Sequence, residues 1–290
     1  MDRVADRPGK LRAMMNLVRF EHTVFALPFA LMAAFVRAGG WPTGRQLGFV
    51  LVCMVTARAA AMAFNRIVDV ELDARNPRTA QRELPTGKVG MWEAQALTVA
   101  SAGMFVLAAR ALNELCFLLS PLALAVILGY SYTKRFTAWS HALLGLSLAI
   151  APMGGWLAVS GAFELPPFCL ALAVVLWVAG FDIIYATLDL EFDEREGLHS
   201  AVRRYGLAGG LRLSAALHAA FLAALVAFGV AADLGPAYFV GALLAGGLVI
   251  AEHVMVSPRD LRRVNTAFFA LNGVISVGLL AATAVDVWVG

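Results

Sequence analysis

Nine apolar stretches, each long enough to cross a lipid bilayer as an α-helix, divide this chain of 290 residues. Roughly 17 to 25 apolar residues in a helix span the hydrocarbon core of a membrane. The chain is 60% hydrophobic and only 15% charged, whereas a soluble domain carries about 25% charged residues. The sequence therefore predicts an all-α integral membrane bundle of nine transmembrane helices. The spans are expected near residues 20–36, 46–66, 93–112, 115–133, 140–161, 166–188, 209–230, 236–256 and 266–288.

The positions of the lysines and arginines predict how this bundle is oriented. Most of the 23 lysine and arginine residues lie in the N-terminal segment or in every second loop after it. The cytoplasmic loops of membrane proteins carry such an excess. We therefore expect the N-terminus in the cytoplasm and, after nine spans, the C-terminus outside. The basic residues form no single tract, so no nucleic-acid partner is expected.

Two acidic motifs with one spacing follow the second and the sixth predicted spans. Asn65, Asp69 and Asp73 stand four residues apart, and Asp189 and Asp193 repeat that interval. A four-residue step keeps side chains on one face of a helix. Carboxylates brought together repel each other unless a cation lies between them, and Mg²⁺ binds through a few carboxylates and the phosphates of a substrate. The motifs predict a magnesium–diphosphate site on the cytoplasmic side; the alternative is two merely solvated loops.

Basic residues at the ends of different spans complete this predicted site. They are Arg19, Arg66, Lys134 and Arg135. Guanidinium and ammonium groups at these positions can converge on phosphate oxygens. Each can instead set the topology or contact lipid headgroups.

Charge inside a membrane span is costly and commonly functional, and Arg58 and Asp182 are the two candidates of this kind. Arg58 precedes Asn65 by two helical turns, so it can receive the carboxylate of an aromatic acid or form an internal ion pair. Asp182 precedes Asp189 by the same distance and is expected to orient an acceptor hydroxyl or to act as a general base.

Two tyrosines, Tyr132 and Tyr185, stand next to these polar groups in the sequence. They are expected to line a cavity and to offer a π face to a carbocation. Near the end of the eighth predicted span, Glu252 and His253 are expected only to pair with a neighbour.

Taken together, these motifs resemble the UbiA superfamily of intramembrane prenyltransferases over nearly the whole chain. The resemblance is carried by Asn65-x-x-x-Asp69-x-x-x-Asp73, the stretch 78–87, Tyr185-x-x-x-Asp189-x-x-x-Asp193, the stretch 19–23 with Pro28, and Tyr132-Thr133-Lys134-Arg135. One departure is Glu83, where many members have proline; it lies in a loop and does not affect the chemistry.

The resemblance implies one domain over residues 1–290, with residues 1–19 as a cytoplasmic N-terminal segment and the helices around a central cavity. Asn65, Asp69, Asp73, Asp189 and Asp193 would hold Mg²⁺ and a polyprenyl diphosphate. Loss of diphosphate would leave an allylic cation that alkylates an aromatic acid. The expected location is the bacterial cytoplasmic (inner) membrane, in contact with lipid and with no obligate protein partner.

The resemblance leaves more than one alternative for the acceptor. The stretches 181–186 and 196–200 look like the bacterial 4-hydroxybenzoate polyprenyltransferase branch, which serves quinone biosynthesis. The alternative acceptor is a dihydroxynaphthoate of futalosine-route menaquinone biosynthesis. A secondary transporter is the non-enzyme alternative, but transporters bind substrate near the bilayer midplane. Here nearly every ionisable cluster lies at the cytoplasmic rim, which favours an enzyme.

Overall fold

The computed structural model describes residues 9–18 and 20–289, apart from the side chains of residues 11 and 20–22. These residues are mostly helical and contain no β-strand. The α-helices are α1 Lys10–Val18, α2 Leu27–Ala38, α3 Gly44–Val68, α4 Val70–Arg75, α5 Met91–Leu112, α6 Glu114–Gly129, α7 Ser140–Ser160, α8 Leu165–Ala186, α9 Leu190–Glu196, α10 Ala201–Ala231, α11 Pro236–Met255, α12 Val264–Thr266 and α13 Asn272–Val289. Short 3₁₀ segments cover Phe20–Phe25, Tyr130–Arg135 and Thr187–Asp189, and a π-helix covers Ala267–Leu271.

The spans agree with those predicted from the sequence, with one qualification at the first. Eight helical segments among the described residues are long and apolar enough to cross a membrane. Helix α2 has 12 residues and extends about 18 Å, which is less than a bilayer core of about 30 Å. Together with the helical residues before it, α2 would complete a ninth span. The predicted all-α membrane bundle is therefore confirmed.

Helix α8 lies at the centre of the bundle, and its Trp177 is fully buried. The indole ring packs against Phe29 of α2, at 5.2 Å between ring centroids, and against Phe181, at 4.9 Å. Its Nε1–H donates to Oδ1 of Asn272, a fully buried residue of α13, at 2.7 Å. Because aromatic burial and a buried hydrogen bond act at one residue, Trp177 holds α8 against α2 near the start of the chain and against α13 near its end.

Asn272 also contacts a cluster of polar side chains inside the bundle. Glu252 Oε1 accepts from Asn272 Nδ2 at 3.0 Å, and the His218 and His253 rings approach to 2.9 Å between Nδ1 and Nε2. Glu252 and His253 therefore both pair with neighbours in the fold.

Helix α7 approaches α2 so closely at Gly155 that a side chain would not fit. A Cβ atom built on Gly155 would lie 2.1 Å from the carbonyl oxygen of Ala30. The adjacent Gly154 has no neighbouring atom within 4 Å of such a Cβ. The close contact of these two helices therefore depends on one glycine of the pair.

Gly155→Ala is expected to destabilise the protein by about 1–3 kcal/mol, because packed backbone must move apart. Gly154→Ala is the matched control and should leave stability equal or slightly higher, since alanine favours a helix. Thermal unfolding of both variants in detergent checks this expectation. Equal melting temperatures for the two variants would contradict the packing.

Candidate active site

The two acidic motifs, although more than 100 residues apart in sequence, meet on one side of the bundle. Asn76, just after the first motif, donates from Nδ2 to Asp189 Oδ1 at 3.1 Å. Arg78 donates to both oxygens of Asp189, from Nε at 2.9 Å and from Nη2 at 2.5 Å. Arg75 pairs with Glu196 at 2.9 Å. The side of the bundle where Asp69, Asp73, Asp189 and Asp193 lie is called the acidic face below.

Both motifs interrupt a helix in the same way. Asp69 separates α3 from α4 with φ −98° and ψ 7°, and Asp189 precedes α9 with φ −107° and ψ 5°. These values lie in the bridge region, where residue conformations are sparsely populated and active-site residues recur. The sequence predicted that the side chains of each motif share one helical face, and it gave no sign of this break. The four-residue spacing survives the break, because Asp73 N–H still donates to the Asp69 carbonyl at 2.7 Å.

Asp69 is neutralised by two basic residues from the turn that follows α6. Lys134 Nζ lies 2.5 Å from Asp69 Oδ2, and Arg135 Nη2 lies 2.9 Å from Oδ1. Asn65 also donates to Oδ2, at 3.3 Å. The Lys134 carbonyl accepts from the N–H of His199, beyond the second motif, at 2.7 Å. The turn Tyr130–Arg135 therefore links the two motifs.

Arg78 and Arg82 are site residues that the motif analysis did not single out. Arg82 Nη1 lies 2.7 Å from Asp73 Oδ1, whereas the predicted Arg66 is 3.9 Å from Oδ2. Burial would lower the pKa of Arg78, but its hydrogen bond to Asp189 and the Asp189 charge outweigh burial, so the pKa is raised. Both arginines lie in the stretch 78–87 after the first motif. Their short distance from Asp73 along the chain was the sequence feature that could have identified them.

The carboxylates are paired with cationic side chains and do not form a ready metal cage. Among the described residues, no three His, Cys, Asp or Glu side chains gather around one point. The donor set nevertheless suits a hard cation, since it consists of carboxylate and amide oxygens. Asp73 Oδ2 is buried and has no hydrogen-bond partner within the described part of the chain, as expected of an oxygen available to a metal.

An apolar cavity of about 580 Å³ lies beneath the acidic face, between helices α2, α3, α5, α6, α7 and α8. On α6 and the following turn its wall extends from Cys116 to Tyr130, about 20 Å at the helical rise. Arg58 and Tyr130 are two of its polar lining residues. Tyr130 also begins the turn Tyr130–Arg135, whose Lys134 and Arg135 pair with Asp69, so the cavity adjoins the acidic face.

The two predicted tyrosines lie on the acidic face instead of in the cavity wall. Tyr185 accepts a hydrogen bond from Arg78 Nη1 at 2.9 Å, and the guanidinium carbon lies 5.2 Å from its ring centroid. Tyr132 is 46% exposed and packs beside Phe64. Neither borders the cavity, whose wall carries Tyr130 instead. Residue identity alone could not separate Tyr130 from Tyr132, which stands two positions further along the chain.

The remaining predicted residues occupy three different surroundings. Arg58 lines the cavity. Asp182 is bonded through Oδ2 to His141 Nδ1 at 2.7 Å, and Asp193 lies near Ser200, Lys134 and His141. Arg19 falls outside the described residues.

Comparison with known proteins identifies the class to which this fold and site belong. The UbiA prenyltransferase family model matches residues 26–274, and the chain belongs to that family. It is 30% identical to the 4-hydroxybenzoate octaprenyltransferase of Paraburkholderia phytofirmans, covering 94% of this chain and 97% of that one. It is 29% identical to the Vibrio cholerae enzyme of the same name, covering 96% and 99%.

Solved structures show the same fold. A UbiA homologue from Aeropyrum pernix, determined in its apo form, is 36% identical over 91% of this chain and 98% of its own, with a TM-score of 0.83. A homologue from Archaeoglobus fulgidus bound to DMAPP and Mg²⁺ is 20% identical over 96% and 99%, with a TM-score of 0.73. The protein is thus a multi-span membrane prenyltransferase, as the sequence motifs predicted.

Arg82→Met is expected to lower stability by about 3–5 kcal/mol, because it leaves the buried Asp73 carboxylate without its nearest cation. Adding Asp73→Asn should restore part of the loss, since the unpaired charge is then removed. Thermal unfolding in detergent, without added metal, measures both effects.

Arg262→Met is the control for this prediction, because Arg262 forms an exposed ion pair with Asp260. Loss of an exposed pair should change the free energy of unfolding little. A double variant less stable than Arg82→Met alone would contradict the pairing.

Proposed function

We propose that the protein transfers a polyprenyl group from polyprenyl diphosphate to an aromatic acid in a Mg²⁺-dependent reaction. The preferred acceptor is 4-hydroxybenzoate, giving 3-polyprenyl-4-hydroxybenzoate for quinone biosynthesis. The observation that carries this proposal is the meeting of two acidic motifs, with their cationic partners, over a long apolar cavity. The names of the bacterial relatives support the choice of acceptor.

The diphosphate end of the donor would bind at the acidic face. Asn65, Asp69, Asp73, Asp189 and Asp193 are the residues that would hold Mg²⁺, which supplies positive charge to the departing diphosphate. The cationic residues now paired with those carboxylates would contact phosphate oxygens. These are Arg66, Arg78, Arg82, Lys134 and Arg135, and the family resemblance adds Arg19.

The prenyl tail would occupy the cavity, whose length and apolar wall suit an extended hydrocarbon chain. Burial of the tail contributes about 25 cal/mol per Å² of apolar surface. Because this contribution is the same before and after diphosphate leaves, it holds the donor without favouring the reaction step.

The acceptor would lie where the acidic face and the cavity adjoin, beside Tyr130. Arg58 would receive its carboxylate and Asp182 would face its hydroxyl or ring hydrogen. Tyr185 and Tyr132 would offer π faces to the allylic cation, although Arg78 already lies over the Tyr185 ring. A dihydroxynaphthoate carries a carboxylate as well, so Arg58 serves either acceptor.

The proposed location is the bacterial inner membrane, with the acidic face and the N-terminus towards the cytoplasm. The distribution of basic residues supports this orientation. A polyprenyl diphosphate would then enter from the inner leaflet with its charged end at the acidic face. The transporter alternative loses its support, because the chain belongs to a family of prenyltransferases.

The direct test incubates purified protein with one polyprenyl diphosphate, Mg²⁺ and either 4-hydroxybenzoate or a dihydroxynaphthoate, and identifies products by mass. Asp69→Ala and Asp189→Ala should abolish transfer while the protein remains folded and membrane-inserted. Glu191→Ala is the matched control, because Glu191 is an exposed carboxylate on α9. Normal turnover by both aspartate variants would refute the metal assignment.

Arg58→Ala should raise KM for the aromatic acid by roughly tenfold or more, the effect of losing a charged hydrogen bond. KM for the prenyl diphosphate should stay unchanged. Arg58→Lys keeps the charge but loses the planar fork, so its effect should be intermediate. Steady-state kinetics with each substrate varied in turn separates these outcomes, and equal loss for both substrates would disprove the carboxylate role.

A further inference from the structure

His141, at the start of α7, lies between Asp182 and the first residues of α10. Its Nε2 is 3.2 Å from the backbone nitrogen of Ala201, and its Nδ1 is 2.7 Å from Asp182 Oδ2. The histidine side chain is 7% exposed and that of Asp182 is 24% exposed. A nearly buried imidazole therefore contacts a carboxylate that is partly exposed.

These two contacts determine the tautomer of His141. The backbone N–H of Ala201 can only donate, so Nε2 must accept and carries no hydrogen. The ring hydrogen is then on Nδ1 and is donated to Asp182 Oδ2. A neutral imidazole with its hydrogen directed at a carboxylate holds that carboxylate in one orientation.

The second carboxylate oxygen of Asp182 belongs to a side chain that is 24% exposed. Within the described part of the chain, Oδ1 has no hydrogen-bond partner. Asp182 follows Val175, a cavity-lining residue, by seven positions, which is two turns along one face of α8. Asp189 of the acidic face follows Asp182 by a further seven positions. Asp182 therefore lies between the cavity and the acidic face.

We infer that His141 is a positioning residue that holds Asp182 as the base for removing the aromatic proton. This inference rests on the proposed function, because it requires an aromatic acceptor. The sequence analysis assigned no role to His141, and only its contacts in the fold connect it to the site.

The proton transfer follows the formation of the new bond. The carbon–oxygen bond of the prenyl diphosphate breaks, and its electron pair leaves with diphosphate. A π pair of the aromatic ring then forms the carbon–carbon bond. Asp182 Oδ1 accepts the hydrogen of the attacked carbon as a proton, and the C–H electron pair restores aromaticity. Asp182 later releases that proton to water, while His141 keeps its own hydrogen throughout.

Two substitutions separate the two hydrogen bonds of His141. His141→Asn places an amide nitrogen near Nδ1, so it keeps the donor to Asp182 and loses the Ala201 bond. His141→Gln places an amide oxygen near Nε2, so it keeps the Ala201 bond and loses the donor to Asp182. The inference predicts that the Asn variant stays near wild-type activity and that kcat of the Gln variant falls about tenfold or more.

An isotope measurement tests proton removal itself. The acceptor is deuterated at the carbon that receives the prenyl group, and kcat is compared with that for the unlabelled acid. The Gln variant should show a larger primary isotope effect than the wild type, with an unchanged KM for the prenyl diphosphate. Asp182→Asn, with His141 intact, should lose at least as much kcat, and it tests the proton-accepting role of Asp182 even if the His141 variants fold poorly.

The outcomes are distinguishable from failure of the proposed function. If the wild type prenylates an aromatic acid and the Gln variant matches it, or both His141 variants lose activity equally with no change in isotope effect, the positioning role is overturned. Wild-type activity in Asp182→Asn overturns it as well. If the wild type prenylates neither acid, the proposed function fails, and the inference fails with it.

Discussion

Ionised carboxylates at the mouth of an apolar bundle must be paired with positive charge. Asp69 and Asp73 are almost completely buried, and a carboxylate removed from water without a partner costs several kcal/mol. The chain meets this requirement with cations from other segments: Lys134 and Arg135 for Asp69, Arg82 for Asp73 and Arg78 for Asp189. This pairing brings distant loops together on one face, and the proposed reaction requires that face.

The same pairing explains how a site without a metal cage can suit a metal–diphosphate complex. Cationic side chains that neutralise carboxylates in one state can contact phosphate oxygens in another, because both partners present oxygen atoms with negative charge. A divalent cation would then compensate the carboxylates. The total charge at the acidic face would stay close to balanced, and the apolar cavity beneath it would remain dry enough for an allylic cation.

The sequence predicted the spans, the acidic motifs and their shared side, since span lengths and a four-residue period follow directly from helix geometry. It did not predict the breaks at Asp69 and Asp189, because the same spacing is compatible with one continuous helix. It also missed the pairing of Arg78 and Arg82 with the aspartates, since one loop offered five basic residues without indicating which would face inward. Tyr130 and His141 depend on contacts between α6, α7, α8 and α10, so no local pattern distinguished them. Tyr132 and Tyr185, which were expected in the cavity wall, accordingly lie outside it, and Tyr130 lines it.

The central claim is that both acidic motifs serve one binding site for a magnesium–diphosphate complex. The most direct measurement is the Mg²⁺-dependent affinity for a non-reactive prenyl thiodiphosphate in Asp69→Asn, Asp189→Asn and the double variant. One shared site predicts that each single change weakens binding and that the double change adds much less than the sum of the two free-energy losses. Fully additive losses, or binding that is independent of either aspartate, would contradict a shared site.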